Sequence, residues 1–484
     1  MPFAILSLLV GTCLGLLLPA PFNLVVFVFS AACGGYCVLR SKTRRVILRY
    51  GRLTWTKEEL ARHFLISGDT GCGKTTSGFH SILFQLTQSL PSWGGLVLDA
   101  KGNESEFIRE LMQHAGREQD LIEIKVRPEL ESSNWTPPHR FNLVSDRRIP
   151  WMTHAKFIID VASSMTSGKQ HAFFRSISQI ALCNAFELID ARGLPVTLAR
   201  AYQVLTSKDT TLAYIQPFTK ADATPEQKKL ARFFQTNFTE ALAYEQREGI
   251  VATITTYLGF FMQPDVVNVF CSDEPNTFSI DEISRGTVIT LSMPQTLATE
   301  RRYIQTYLKM LFYIHSLRRL DKPKASRKEE NMLLLVADEF QSLVTSSDDG
   351  ISDYNVIDKV REANAALIAG MQSELSADPV INANKRKVLS LNLRSRLIFR
   401  AADLEGAQAS ADFVGKRTIW KRTRSSKPLG SVTTSRREEQ EYYVTPEKLL
   451  RLGNHTAVIV HPSKRFLRKK MKPLDGTGKV YPWH

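Results

Sequence analysis

The sequence predicts an α/β fold interrupted by an all-α insertion and preceded by an apolar segment of membrane character. Three observations predict it. Residues 68–75, GDTGCGKT, satisfy a phosphate-loop pattern between a strand signal and a helix signal. Residues 331–343, NMLLLVADEFQSL, read as a buried strand closing on two acids. Residues 1–39 contain no Lys, Arg, Asp or Glu.

The apolar segment breaks near its middle at PAPFN, residues 19–23, which divides it into two candidate spans at 3–18 and 24–39. Each lies near the lower length limit of roughly 17 residues for a spanning helix. A cleaved signal peptide would carry a basic stretch before its apolar core, and nothing basic precedes Phe3. The positive charge follows instead, at Arg40, Lys42, Arg44, Arg45, Arg49 and Arg52. By the positive-inside rule the bulk of the chain is expected in the cytoplasm. The six cysteines fit that compartment: three lie in the apolar segment and Cys72, Cys183 and Cys271 are scattered, so neither a disulfide framework nor a zinc site is indicated.

In the phosphate loop, Gly68, Asp69, Thr70, Gly71, Cys72, Gly73, Lys74, Thr75 and the following Thr76 are the candidate nucleotide ligands. Glycines let successive backbone N–H groups turn toward phosphate, Lys74 reaches the β/γ-phosphates, and the Thr75 hydroxyl ligates Mg2+. HFLIS before the loop is a short apolar strand, and Phe79, Ile82, Leu83 and Leu86 after it recur at helical spacing. GGLVLDAKGNESEFIRELMQHAG repeats the theme: a strand at 96–98, a polar turn at 99–103, then an amphipathic helix. From about 150 to 270 strand signals give way to helical periodicity, and GTVITLSMP at 286–294 resumes the strand pattern.

In the second motif Asp338 and Glu339 stand at the carboxyl end of the 332–336 apolar run, where open α/β sheets present ligand groups. Asp338 is placed to hold Mg2+ through water, and Glu339 to orient or deprotonate an attacking water. A further strand at 365–370 ends near Gln372, a candidate γ-phosphate sensor. LRSRLIFRA offers Arg394, Arg396 and Arg400, each either a charge stabiliser supplied between subunits or a surface ion pair. The net charge is +15, and residues 415–484 hold 17 Lys and Arg against 5 Asp and Glu. The clusters KRTRSSK at 421–427 and KRFLRKKMK at 464–472 suit nucleic-acid phosphates, with an acidic lipid leaflet or plain solvation as the alternatives. The resulting division is a transmembrane hairpin at 1–39, a nucleotide-binding domain at 40–149 and 276–484, and an all-α domain at 150–275.

The order of these features resembles the coupling ATPases of type IV secretion and bacterial conjugation. It runs from two N-terminal spans and a phosphate loop through LDAKGNESE, a helical insertion, ADEFQSL and AGMQS to YYVTPEKLLRLGNHTAVIVHPSKRF. The resemblance implies a RecA-like domain that hydrolyses ATP with Mg2+, a homo-hexameric ring at the inner membrane, and delivery of DNA–relaxase complexes, the DNA single-stranded, or of protein substrates to a secretion channel. It gives Lys74 and Thr75 the phosphate and Mg2+ roles, Asp338 the metal-water role, Glu339 the base role and Gln372 the sensor role. Arg361 stands where relatives carry a basic residue before the sensor strand and is a candidate contact across subunits. Two departures stand out: a turn of only about five residues between the spans, and Ala100 where relatives often have Pro. A double-stranded DNA pump of the FtsK or HerA kind and a membrane-tethered nucleotide-dependent scaffold are the competing readings. The first usually lacks such an insertion, and the second does not need a base such as Glu339.

Overall fold

The computed structural model describes residues 45–482 except 101, 103, 133, 166–171, 241–243, 349 and 426–432; the two expected spans in 1–39 lie outside the described residues. Thirteen strands are described. β1 (Leu48–Tyr50) and β2 (Leu53–Trp55) form a small antiparallel pair. β3 (Phe64–Ser67), β4 (Gly94–Leu98), β5 (Leu121–Lys125), β6 (Val288–Ser292), β7 (Leu333–Ala337), β8 (Ala365–Met371) and β9 (Ser395–Ile398) follow. β10 (Lys416–Ser425) and β11 (Thr433–Tyr442) pair in a separate hairpin, and β12 (Thr456–Val460) and β13 (Leu467–Lys470) close the series.

The main sheet is mixed, with strand order β13-β12-β9-β3-β8-β7-β4-β6-β5. β3 to β9 pair in parallel, and β12 and β13 add antiparallel at one edge. Every residue of β3, β4, β7 and β8 is buried. That burial is why these strands read as continuous apolar runs, since a parallel sheet is covered on both faces. One face packs with Trp55, Phe79, Ile82 and Ile108 in a common core. The other merges with the helical insertion through Leu335, Ile158, Phe186 and Tyr307.

The insertion leaves after β5 and returns before β6, and these two strands are neighbours. Helices Trp151–Met165, Ala172–Ala191, Leu198–Thr206, Lys208–Ile215, Pro225–Phe234, Tyr244–Leu258 and Pro264–Phe270 build it. The two connections are zipped together: Phe141 N–H donates to Val269 O at 2.9 Å and Thr277 N–H to Arg140 O at 3.0 Å. Adjacent exit and return points let so large an insertion sit at the rim without disturbing the sheet. Among the described residues no single helix is long and apolar enough to cross a membrane. One pair bent by 81°, Arg247–Met262 with Pro264–Phe270, passes by length and composition, but its Phe261, Val266, Val269 and Phe270 are buried in the helical core.

The helix Ala298–Arg318 backs the second motif through a fully buried polar cluster. Lys309 Nζ lies 2.5 Å from Asp353 Oδ2, both side chains are 0% exposed, and Nζ also donates to Leu343 O. Asp353 accepts in addition from Tyr313 Oη at 2.6 Å and from Thr345 N–H at 2.8 Å. The segment after Glu339 is thereby tied to two helices.

The basic C-terminal region is more organised than its composition suggests. Lys421 pairs with Glu439 at 2.8 Å and Arg417 with Glu441 at 3.0 Å across the β10–β11 hairpin, so part of the expected charge excess is neutralised locally. Lys464 donates to Thr54 O of β2 at 2.7 Å, which ties its own segment to that strand. Arg468, Lys469 and Lys470 remain exposed on the edge strand β13. Cationic side chains of this kind also deter edge-to-edge pairing.

Candidate nucleotide-binding site

The strand order brings the carboxyl ends of β9, β3, β8, β7 and β4 side by side, and the candidate ligands gather there. β3 delivers the loop 68–75, which runs into a π-helical turn, Lys74–Phe79, and then the helix His80–Ser89. Such wide turns recur at functional sites because they displace one residue's worth of backbone. The loop is held on three sides. Gly68 N–H donates to Gln372 O at 3.1 Å, Asp69 N–H to Arg400 O at 2.7 Å, and Cys72 O accepts from His455 N–H at 2.8 Å. Gly73 has φ of +100°, and a Cβ there would come within 2.5 Å of His455 Nδ1, so both conformation and space require glycine. The same ring nitrogen lies 2.8 Å from Ser77 Oγ.

Lys74 Nζ donates to Gly68 O at 2.8 Å and Asp69 O at 3.1 Å, which keeps the ammonium over the loop. Thr75 Oγ1 donates to Asp338 Oδ2 at 3.0 Å, joining the two motifs across 263 residues. Asp338 Oδ1 accepts from Glu339 N–H at 2.9 Å, and Asp338 N–H donates to Leu98 O at 3.1 Å. Glu339 adopts φ of +52°, a strained conformation for a side chain of this kind, and its carboxylate accepts from Gln341 Nε2 at 2.5 Å. Gly370 on β8 lets the strands close: a Cβ there would lie 2.6 Å from Asp338 Oδ1 and 2.6 Å from the Phe79 ring.

Asp338 is pushed up from 3.8 to about 6, first by burial and then by the charges of Glu104, Asp99 and Glu339. Concentrated negative charge beside a hydroxyl fits a hard divalent cation, so the residues suit Mg2+. Among the described residues no group of three or more His, Cys, Asp or Glu could hold an ion by itself. Asp99 was not singled out in the sequence, although GGLVLD ends a buried strand on an acid just as LLLVAD does. Its Oδ2 accepts from Glu104 N–H at 3.1 Å and its carbonyl from Gln305 Nε2 at 2.7 Å.

The remaining candidates divide by position. Gln372 is exposed beside the loop, with its carbonyl bonded to Gly68. Thr70 and Gly71 are exposed and Cys72 is 0% exposed, with burial pushing its thiol up, so Cys72 packs the loop from beneath. Thr76 contributes its carbonyl to Leu474 N–H at 3.0 Å, which draws the C-terminal tail over the loop's helix. Only Arg396 of the three strand arginines lies within β9. It is 1% exposed, with Nη1 2.9 Å from Glu374 Oε2 and its guanidinium stacked on Phe413, so it cannot reach out of its own subunit. Arg400 is the arginine at the loop, 3.5 Å from Asp69 Oδ2 and 3.1 Å from Asn454 Oδ1. Arg394 and Arg361 lie at the opposite edge, before β9 and β8; a seven-residue strand puts roughly 23 Å between Arg361 and the loop. His455 and its neighbours, reached through the antiparallel strand β12, had no signal in the sequence beyond their place in the family-like closing segment.

Residues 182–469, more than half of the chain, match the family described as the type IV secretion-system coupling protein DNA-binding domain. The solved structure of the bacterial conjugative coupling protein TrwBdeltaN70 in its unbound monoclinic form superposes with a TM-score of 0.62 at 15% identity, over 92% of this chain and 93% of that one. The plasmid coupling protein TrwB in complex with ADP and Mg2+ superposes with a TM-score of 0.59 at 14% identity, over 90% and 91% of the two chains. The same protein with the non-hydrolysable GTP analogue GDPNP gives 0.59 at 15%, over 92% and 93%. No curated protein matches the chain by sequence. The mixed α/β sheet is thus that of the TrwB fold, and the chain belongs to the family of type IV secretion-system coupling proteins.

Proposed function

We propose that the chain is an ATP hydrolase of the bacterial inner membrane, anchored by residues 1–39 with its bulk in the cytoplasm. As a homo-hexamer it uses turnover to recruit DNA, single-stranded and bound to a relaxase, or secreted proteins, and to pass them to a type IV secretion channel. The observation that carries this reading is the 3.0 Å contact of Thr75 Oγ1 with Asp338 Oδ2, which makes one site of two motifs in a member of the coupling-protein family. It is supported by the relative that holds ADP and Mg2+.

In this reading Lys74 and the amides of 68–76 bind the phosphates, and Mg2+, held by Thr75 and by Asp338 through water, neutralises their charge when bound. Glu339 takes the proton of the attacking water, and its bond to Gln341 fixes the direction of the carboxylate. Gln372 senses the γ-phosphate, whereas Arg361, a strand length away at the amino end of β8, lies out of reach of the site of its own subunit. The test is steady-state ATP hydrolysis by the full chain in mild detergent with and without single-stranded DNA. DNA is expected to stimulate turnover; hydrolysis indifferent to DNA and to secreted protein substrates would contradict the coupling role.

A further inference from the structure

We propose that the edge of the sheet opposite the nucleotide site is a docking surface for anionic phospholipid headgroups, an inference that rests on the membrane anchorage proposed above. The described chain begins at this edge. Ile47 N–H donates to Trp55 O at 2.9 Å, and Trp55 Nε1 donates to Ser395 Oγ at 3.1 Å, where β9 starts. Thr56 then caps the short helix Lys57–Leu60. Beside that helix lies a concave pocket of about 420 Å3 lined by Arg62, Lys324, Arg327, Lys328 and Arg361, with Glu58 and Glu362 as its acids.

Charged surface is usually just solvated. Here three observations point to a ligand. The helix Lys324–Glu329 buries none of its residues, so it adds nothing to the core. It is nonetheless held at the place where the chain begins: Lys57 Nζ donates to Glu330 O at 3.2 Å, Lys328 lies 3.3 Å from Glu58, and Arg327 Nη1 donates to Glu362 O at 3.3 Å. Finally, residues 40–44 alone separate the uncharged segment from Arg45, and so few residues span at most about 20 Å even fully extended. A chain anchored by 1–39 therefore keeps this edge within reach of the headgroups. There the anionic leaflet attracts each nearby Lys or Arg, and the exposed Arg45 stands where the described chain begins. Docking of this edge turns the carboxyl edge, with its phosphate loop, away from the bilayer.

The test is lysine acetylation footprinting by mass spectrometry on the full chain in nanodiscs rich in phosphatidylglycerol or made of phosphatidylcholine alone. Lys324 and Lys328 are expected to label roughly tenfold less in the anionic discs, while the exposed Lys220 and Lys229 of the helical insertion label equally in both. Raised salt should restore labelling, which keeps the test independent of any variant. The double substitution Arg62→Gln and Arg327→Gln should weaken the contact roughly thirty-fold and also restore it. Equal labelling of Lys324 and Lys328 in both discs, with the chain resistant to carbonate extraction, would overturn the docking surface and leave the anchorage standing. A chain extracted by carbonate would overturn both. Protection by single-stranded DNA but not by anionic lipid would assign the surface to nucleic acid and overturn the proposal.

Discussion

Replacing Lys309 by Met removes the ammonium paired with a fully buried carboxylate. Asp353 and Lys309 are both 0% exposed, and Asp353 keeps Tyr313 and Thr345 as donors after the change. The Tyr313 hydroxyl and the Thr345 amide and hydroxyl are three neutral donors and do not balance a buried charge, so breaking the pair should cost about 3–5 kcal/mol. Asp353→Asn strands the ammonium instead; burial already pulls the Lys309 pKa down, and only Asp353 opposes that pull. It should cost a similar amount. The double variant leaves neither charge alone, so its loss should fall short of the sum by about 2 kcal/mol. Urea unfolding of the full chain in mild detergent measures the three losses. Hydrogen exchange adds a local reading, because the Thr345 amide donates to Asp353 and should lose protection in each single variant. The consequence reaches the site: Lys309 also holds Leu343 O and lies 5.4 Å from the Phe340 ring, next to Glu339. Additive losses, or single losses under about 1 kcal/mol, would refute the argument that this pair is a dry, mutually dependent unit.

Acidification should destabilise the protein. Burial lowers both His63 and His154 from 6.5 to about 4, so as pH falls through that window the unfolded chain takes up protons that the folded chain refuses, at a cost of about 3 kcal/mol each. Asp338, raised from 3.8 to about 6, works in the opposite sense by about 3 kcal/mol between pH 6 and 3.8, so the histidines win and urea midpoints should drop from pH 6.5 to 4. The same raised carboxyl makes protons compete with Mg2+. Mg2+-dependent ADP affinity should weaken about tenfold more from pH 7 to 5 in the native chain than in Asp338→Asn, by calorimetric titration. Gly370→Ala drives a methyl against Asp338 and Phe79 and should lower turnover at least about tenfold while circular dichroism stays native. Neutralising Arg465, Arg468, Lys469, Lys470 and Lys472 should reduce the log–log salt slope of single-stranded DNA binding by about 3.5, or 0.7 per lost contact. An unchanged slope would remove this segment from the DNA surface.

What the sequence made legible was what depends on near neighbours in the chain. The strand, loop and helix around Lys74, and the apolar run before Asp338, announce themselves because burial on both faces leaves no polar positions. Arg361 and Gln372 show a limit: they flank one strand, and its length alone assigns them to opposite edges. What stayed hidden depended on strands pairing at a distance. His455 reaches Gly73 only because β12 pairs with β9. The β10–β11 hairpin lacks an apolar face, so no alternation marked it. Asp99 and Glu104 joined Asp338 only once β4 lay beside β7.

The central claim is that the 68–75 loop and the acids at 338 and 339 form one ATP-hydrolysing centre. Nucleotide titration and steady-state hydrolysis on two single variants of the full chain test it most directly. Lys74→Ala removes the cation from the β/γ-phosphates and should lose both binding and turnover. Glu339→Gln keeps the shape of the side chain but cannot accept water's proton, so binding should hold while turnover falls by roughly a hundredfold or more. Normal turnover by the Glu339 variant, or unchanged nucleotide affinity in the Lys74 variant, would contradict the account.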